Sequence, residues 1–284
     1  MKRLNKIAII GVGLIGGSIG LAAKKRKAAR HVIGVFRHRS TLVRALKCKA
    51  IDKGFMNIRD GVKDADLIIL ATPVSSIPSL AREVMRYAKK GAILTDAGST
   101  KKWIVEEVEA APGRSCGVLF VGGHPMAGSE HIGVEFSRPD LFIDSWCIIT
   151  KTKKTDTAAM KRVAGFWKAL GAKVEIMDPA SHDRTVSLIS HLPHLVAFGL
   201  AGSVPGKAIR YSAEGFKDTT RVASSDPQLW ADIFMSNKSE VLASARLFGK
   251  FFDRLTTALS RNEYSRLVKM LGEAKAKRDK FIDG

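Results

Sequence analysis

Short apolar runs alternate with longer amphipathic stretches from the N-terminus onward. Residues 7–10, 32–35, 67–71, 92–94, 118–121 and 147–150 are brief and almost continuously apolar, as strands covered on both faces are. Helical patterns separate several of them. Strands alternating with helices are joined by crossovers, and crossovers make a parallel sheet. A helix over residues 157–170 leads to residues 173–177, expected to be an edge strand, and the rhythm stops at Asp178-Pro179. Beyond that point the pattern is helical only. Residues 181–203, 228–260 and 263–281 carry apolar positions at three-and-four spacing, and Pro193 is expected to kink the first of these helices.

Composition fits this plan. The chain has 284 residues, 45% hydrophobic and 26% charged, which excludes a disordered or collagen-like chain. Lys and Arg number 47 against 27 Asp and Glu, a formal net charge of +20 concentrated in residues 1–178, so anionic partners are favoured. The three cysteines, Cys48, Cys116 and Cys147, lack C-x-x-C spacing and argue against a disulfide scaffold or a zinc site. A reducing cytoplasm is the expected location. Basic residues 1–6 followed by apolar residues 8–23 imitate a signal peptide, but five glycines and the following Lys24-Lys25-Arg26-Lys27 do not suit one. We read no targeting or membrane-spanning segment.

Gly11-Val12-Gly13-Leu14-Ile15-Gly16 is G-x-G-x-x-G directly after a predicted strand and at the start of a helix. Gly11 suits the tight turn, Gly13 lets the backbone approach a pyrophosphate, and Gly16 lets helix and strand pack closely. With Leu14 and Ile15 they form the expected cofactor cradle, to which Thr72 and Pro73, beyond the strand at residues 67–71, are added. The fold class is therefore expected to be an α/β Rossmann-type doubly wound parallel sheet followed by an all-α C-terminal domain. Residues 1–178 would be the dinucleotide-binding domain and residues 179–284 a second, helical domain. The acidic residue that selects NAD normally ends the second strand. Phe36 stands there, followed by Arg37, His38 and Arg39, a cationic cluster suited to a 2′-phosphate. NADP is thus expected over NAD, with NAD still possible.

Three more segments carry proton-transfer groups: Asp96-Ala97-Gly98-Ser99-Thr100-Lys101, Gly122-Gly123-His124-Pro125-Met126-Ala127-Gly128-Ser129-Glu130, and Ser190-His191-Leu192-Pro193-His194. The first two are expected as glycine-rich loops at strand ends, where parallel sheets place ligands. His191 and His194, three apart, are expected near one helix face. Together with Gly215-Phe216-Lys217-Asp218-Thr219-Thr220-Arg221, and in this order, the motifs resemble those of the prephenate and arogenate dehydrogenases of tyrosine biosynthesis.

That resemblance implies oxidative decarboxylation of a cyclohexadienyl substrate with hydride transfer to NAD(P). His124 matches the family's catalytic histidine, which takes the ring-hydroxyl proton, and Ser99 matches the serine that orients it. Lys101 would support the same loop. Arg221 matches the arginine for a substrate carboxylate. His194, with Ser190 and His191, would contact the side-chain end of the substrate, Ser129 and Glu130 the pocket entrance, and Asp218 and Trp230 the second-domain site. Ala213-Glu214-Gly215 departs from the family's consecutive glycines and brings a negative charge toward an anionic substrate. A homodimer through the helical domain is also implied.

Two other functions compete. A 3-hydroxyacid-type dehydrogenase has the same two-domain plan but uses a lysine in the helical domain, and Ser190–His194 contains none. A non-enzymatic nucleotide- or nucleic-acid-binding protein would exploit the basic half, yet its basic residues are scattered with few aromatics beside them. His182 and Asp183 precede the paired histidines without a third ligand at diagnostic spacing, so no metal is expected. No nucleic-acid or membrane partner is expected either.

Overall fold

The computed structural model describes residues 3–110, 117–129 and 131–282. Strands β1 (Leu4–Ile10), β2 (Ala29–Val35), β3 (Lys53–Phe55), β4 (Leu67–Leu70), β5 (Ile93–Asp96) and β6 (Leu119–Val121) form one sheet, in the order β3-β2-β1-β4-β5-β6. Every pairing in it is parallel. Helices α1 (Leu14–Lys25), α2 (Arg39–Lys47), α3 (Ile58–Val62), α4 (Ile77–Tyr87) and α5 (Lys102–Ala110) connect the strands.

The period of two along a strand divides its side chains between two cores. Ile7 and Ile9 of β1 join Ile19 and Trp167 on one face, whereas Ala8 and Ile10 join Val84 and Ile104 on the other. Burial of each such aliphatic side chain contributes about 1.5–3 kcal/mol. The strand order reverses between β1 and β4, which opens a crevice at the carboxyl ends of those two strands.

The main sheet ends at β6, contrary to expectation for the last two predicted strands. Residues 147–150 and 173–177 lie instead in a separate three-stranded sheet: β7 (Gly123–Pro125), β8 (Trp146–Thr150) and β9 (Lys173–Met177), in that order. β7 runs antiparallel to β8, and β9 parallel to it through helix α6 (Thr157–Ala169). Gly122 stands at the change of sheet, where a Cβ would lie 2.4 Å from the buried Thr150 Oγ1, so glycine is favoured. The segment expected as a loop thus holds His124 in a strand, opposite Ile148.

Asp178 caps α7 (Pro179–Val186) by accepting from the N–H groups of Ala180 and Ser181. A π-helical turn, Ser187–His191, joins α7 to α8 (Leu192–Ser203). Pro193 is therefore an early residue of α8, where its missing N–H is tolerated, and the register change precedes the proline expected to kink the helix. Pro179–Ser203 is long and apolar enough to cross a bilayer by length and composition. Its buried positions include the polar residues His182, Asp183, Ser187 and His191.

Short helices α9 (Gly206–Ile209) and α10 (Glu214–Thr220) lead to α11 (Pro227–Ser236), whose Trp230 and Ile233 join the second core. The helix expected over residues 228–260 breaks at Asn237. Its buried amide donates to the Asp183 carbonyl at 2.9 Å and lies 3.3 Å from His191 Nδ1. The chain divides into compact units Met1–Asn237 and Lys238–Gly284. The second holds α12 (Lys238–Ser260) and α13 (Tyr264–Ile282), with Asn262 in the left-handed region between them. Cys48 and Cys147 are free thiols, and Cys116 lies outside the described residues.

Candidate active site

A cleft of about 600 Å³ opens at the reversal point of the main sheet and lies wholly within the first unit. Gly13, Leu14 and Ile15 line one side, and Ala71, Thr72, Pro73 and Val74 continue it from the end of β4. Gly11 has φ +91°, and a Cβ there would meet the Ala71 carbonyl oxygen at 2.4 Å. A Cβ on Gly16 would come within 2.1 Å of the Gly11 oxygen. At Gly13 a Cβ would meet nothing within 4 Å, so the backbone there faces open space. Gly13 also caps α1 without a side-chain hydrogen bond, leaving a helix N-terminus for phosphate. This cradle fits a dinucleotide.

Phe36 is buried at the end of β2, its ring 2.6 Å from where a Cβ on Gly34 would be. No carboxylate therefore stands at that position to accept a ribose hydroxyl. Arg37, His38 and Arg39 follow it on the exposed surface and are not part of the cleft lining.

His124 enters the cleft from β7, anchored by strand pairing. Its Nδ1 lies 2.8 Å from His182 Nε2, and His182 Nδ1 lies 2.7 Å from Asp183 Oδ1. The Asp183 carboxylate also accepts the backbone N–H groups of Lys101 at 2.7 Å and Lys102 at 3.0 Å. Backbone N–H groups only donate, so this pattern suits the ionised carboxylate. Burial, followed by the proximity of His182 and Lys101, holds the His124 imidazole well below its usual pKa. Burial does the same to His182. Asp183 is shifted upward by burial, against the pull of its two backbone donors and Lys101. A neutral imidazole in the cleft can accept a proton.

Lys101 and Asp96 form a fully buried ion pair directly behind the histidines. Asp96 also accepts from the N–H groups of Gly98 at 3.0 Å and Gly123 at 3.1 Å. One carboxylate thereby ties the end of β5, the following loop and β7 together. Ser99, expected to orient His124, lines the cleft, while the side-chain hydrogen-bond partner of the His124 ring is His182.

The opposite side of the cleft is helical. Ser190, His194, Arg221 and Trp230 line it, as does Ser129 from the loop after β7. His194 Nδ1 donates to the Ser190 carbonyl at 3.0 Å, which leaves Nε2 as an acceptor. Burial lowers the His194 pKa, and Arg221 adds to the effect. Other expected residues are not gathered there. His191 is fully buried and contributes no surface to the cleft, although its ring, like that of His194, packs against the Trp230 indole. Burial lowers its pKa to about 4. Asp218 is exposed on α10 and outside the lining. Glu214 pairs with Lys217 at 2.7 Å on the surface, also outside the cleft. Glu130 lies outside the described residues.

His182 and Asp183 were weighed on sequence only as metal ligands. Among the described residues no group of three or more His, Cys, Asp or Glu is arranged to hold a metal ion. Asp226 was missed too: it lines the cleft while capping α11 through the Leu229 N–H. Only its place before Pro227, a helix-start signal, marks it in the sequence.

A dinucleotide cradle, a neutral histidine and an arginine around one cleft define a nicotinamide-nucleotide-dependent dehydrogenase. Residues 19–176 match the nucleotide-binding domain of prephenate dehydrogenase, and residues 178–273 match its dimerization domain. The chain belongs to the prephenate dehydrogenase family. It is 36% identical over 281 residues to the prephenate dehydrogenase of Bacillus subtilis, covering 96% of this chain and 75% of that protein. Identity to the cyclohexadienyl dehydrogenase of Zymomonas mobilis is 33%, over 98% of this chain and 96% of the other. The crystal structure of A. aeolicus prephenate dehydrogenase with hydroxyphenyl propionate and NAD+ superposes with a TM-score of 0.90 at 34% identity, covering 98% of both chains.

Proposed function

We propose that this chain oxidatively decarboxylates prephenate or arogenate to 4-hydroxyphenylpyruvate or tyrosine, with NADP preferred over NAD. The observation that carries this reading is that His124, Arg221 and the Gly13–Ile15 turn border one cleft. The bound nicotinamide supplies the hydride acceptor. His124 Nε2 takes the proton of the ring hydroxyl as hydride leaves the carbon that bears it. Loss of CO2 then aromatises the ring. The same oxygen ends as a phenol hydroxyl, so His124 returns the proton and none is released overall. Arg221 receives the side-chain carboxylate through its planar fork, and His194 and Ser190 contact that end of the substrate. Ser99 and Ser129 complete the polar lining.

The NADP preference rests on the absence of an acidic residue at Phe36 and the cations at Arg37, His38 and Arg39. We also infer a cytoplasmic homodimer, with residues 1–178 binding the nucleotide and residues 179–284 serving substrate binding and dimerisation. The match of residues 178–273 to a dimerization domain supports it, as do the exposed apolar side chains of Leu247, Phe252 and Leu271. Steady-state assays of prephenate and arogenate, each with NADP and NAD, test the reading. Turnover of either substrate, faster with NADP, is expected; no turnover of either overturns it.

A further inference from the structure

Three buried groups stand in line behind the cleft: His124, then His182, then Asp183, joined by contacts of 2.8 and 2.7 Å. His182 is fully buried and Asp183 nearly so, and neither lines the cleft. We propose that His182 and Asp183 are positioning residues that fix the tautomer of His124 and support its positive charge while it holds the substrate proton. The inference rests on His124 being the base.

The proton count along the line has one consistent solution. Asp183 as a carboxylate accepts, so His182 Nδ1 carries a hydrogen and His182 Nε2 is left with a lone pair. That lone pair accepts from His124 Nδ1–H. His124 Nε2 is then unprotonated in the cleft, the state a base requires. When Nε2 takes up the hydroxyl proton, the imidazolium donates through Nδ1 to a neutral histidine backed by a carboxylate. The Asp183 carbonyl accepts from Asn237, and its carboxylate is held by two backbone N–H groups, so the far end of the line is rigid.

The charged and titratable surroundings are specific. Asp96 and Lys101 face the pair from the end of β5 and the following loop, His191 from the π turn, and Cys147 from β8. Lys101 opposes a second positive charge, so without Asp183 the imidazolium would be poorly tolerated. Burial raises the Cys147 thiol pKa and keeps it protonated.

Four measurements test this. In His182→Leu, kcat should fall at least about tenfold with little change in KM for substrate or cofactor, since His124 loses the partner that fixes its tautomer while no binding contact is removed. His182→Gln, whose amide oxygen can accept from Nδ1–H, should recover part of that loss. Asp183→Asn should lower kcat and move the acid limb of the kcat/KM profile to lower pH. 15N NMR of the wild-type holoenzyme should show His124 protonated at Nδ1, assigned by the signal missing from His124→Asn. Wild-type kcat in folded His182→Leu, an unmoved limb in Asp183→Asn, or an Nε2–H tautomer at His124 would each overturn the proposal. Full activity in His124→Asn would instead remove the base assignment beneath it.

Discussion

The His194 imidazole lies on the face of the Trp230 indole, with ring centroids 3.5 Å apart and planes 20° from parallel. One nitrogen of His194 is already committed to the Ser190 carbonyl, so the stack and that bond together fix where the other points. Trp230→Leu should release the ring. The expected result is a KM for substrate raised about tenfold with kcat less affected, measured beside a melting curve.

His124→Asn removes the proposed proton acceptor while keeping a polar side chain. A kcat lower by about 10²–10⁴ is expected, with cofactor affinity unchanged by fluorescence titration.

Acidity should affect activity and stability differently. Because His124 titrates well below the ordinary 6.5, activity due to the neutral base should persist as pH falls through that value. Stability should not. His124, His182 and His191 have depressed pKa values when folded, so below 6.5 the unfolded chain binds more protons and the folded state loses ground. For His191 the loss spans pH 6.5 down to about 4. Tm measured across that range should fall steadily.

The glycines of the cradle should separate by substitution. Gly16→Ala forces a Cβ against the Gly11 oxygen and should lower Tm. Gly13→Ala meets nothing within 4 Å and should leave Tm nearly unchanged while raising KM for the cofactor.

Arg37 and Arg39 can be replaced together by Ala. A larger rise in KM for NADP than for NAD is expected, and equal rises would dismiss contact with the 2′-phosphate.

The strands of the main sheet were legible because burial on both faces leaves uninterrupted apolar runs, as in Leu67–Leu70. β3 was not, since Lys53–Phe55 is three residues long and only partly covered. The division into two sheets was also hidden: the joint has Gly122 close against Thr150, and periodicity carries no trace of such a clearance. In the cleft, His124 and Arg221 could be singled out from motif residues far apart in the chain. His182 could not, because its part depends on a ring nitrogen reaching another ring across the fold. For His191 the three-residue spacing carried only part of the answer: its ring packs on Trp230 as that of His194 does, but it is fully buried, and depth of burial is not written in the spacing.

The change of sheet at Gly122 has a mechanical corollary. The turn at Gly13 follows one β-layer and the His124 imidazole stands on another, and a single residue, Gly122, lies between the last strand of the first and the strand that carries the imidazole. A methyl group placed at that joint would press on Thr150 and Val105, so a shift would have to be taken up where the two layers meet rather than at the cleft surface.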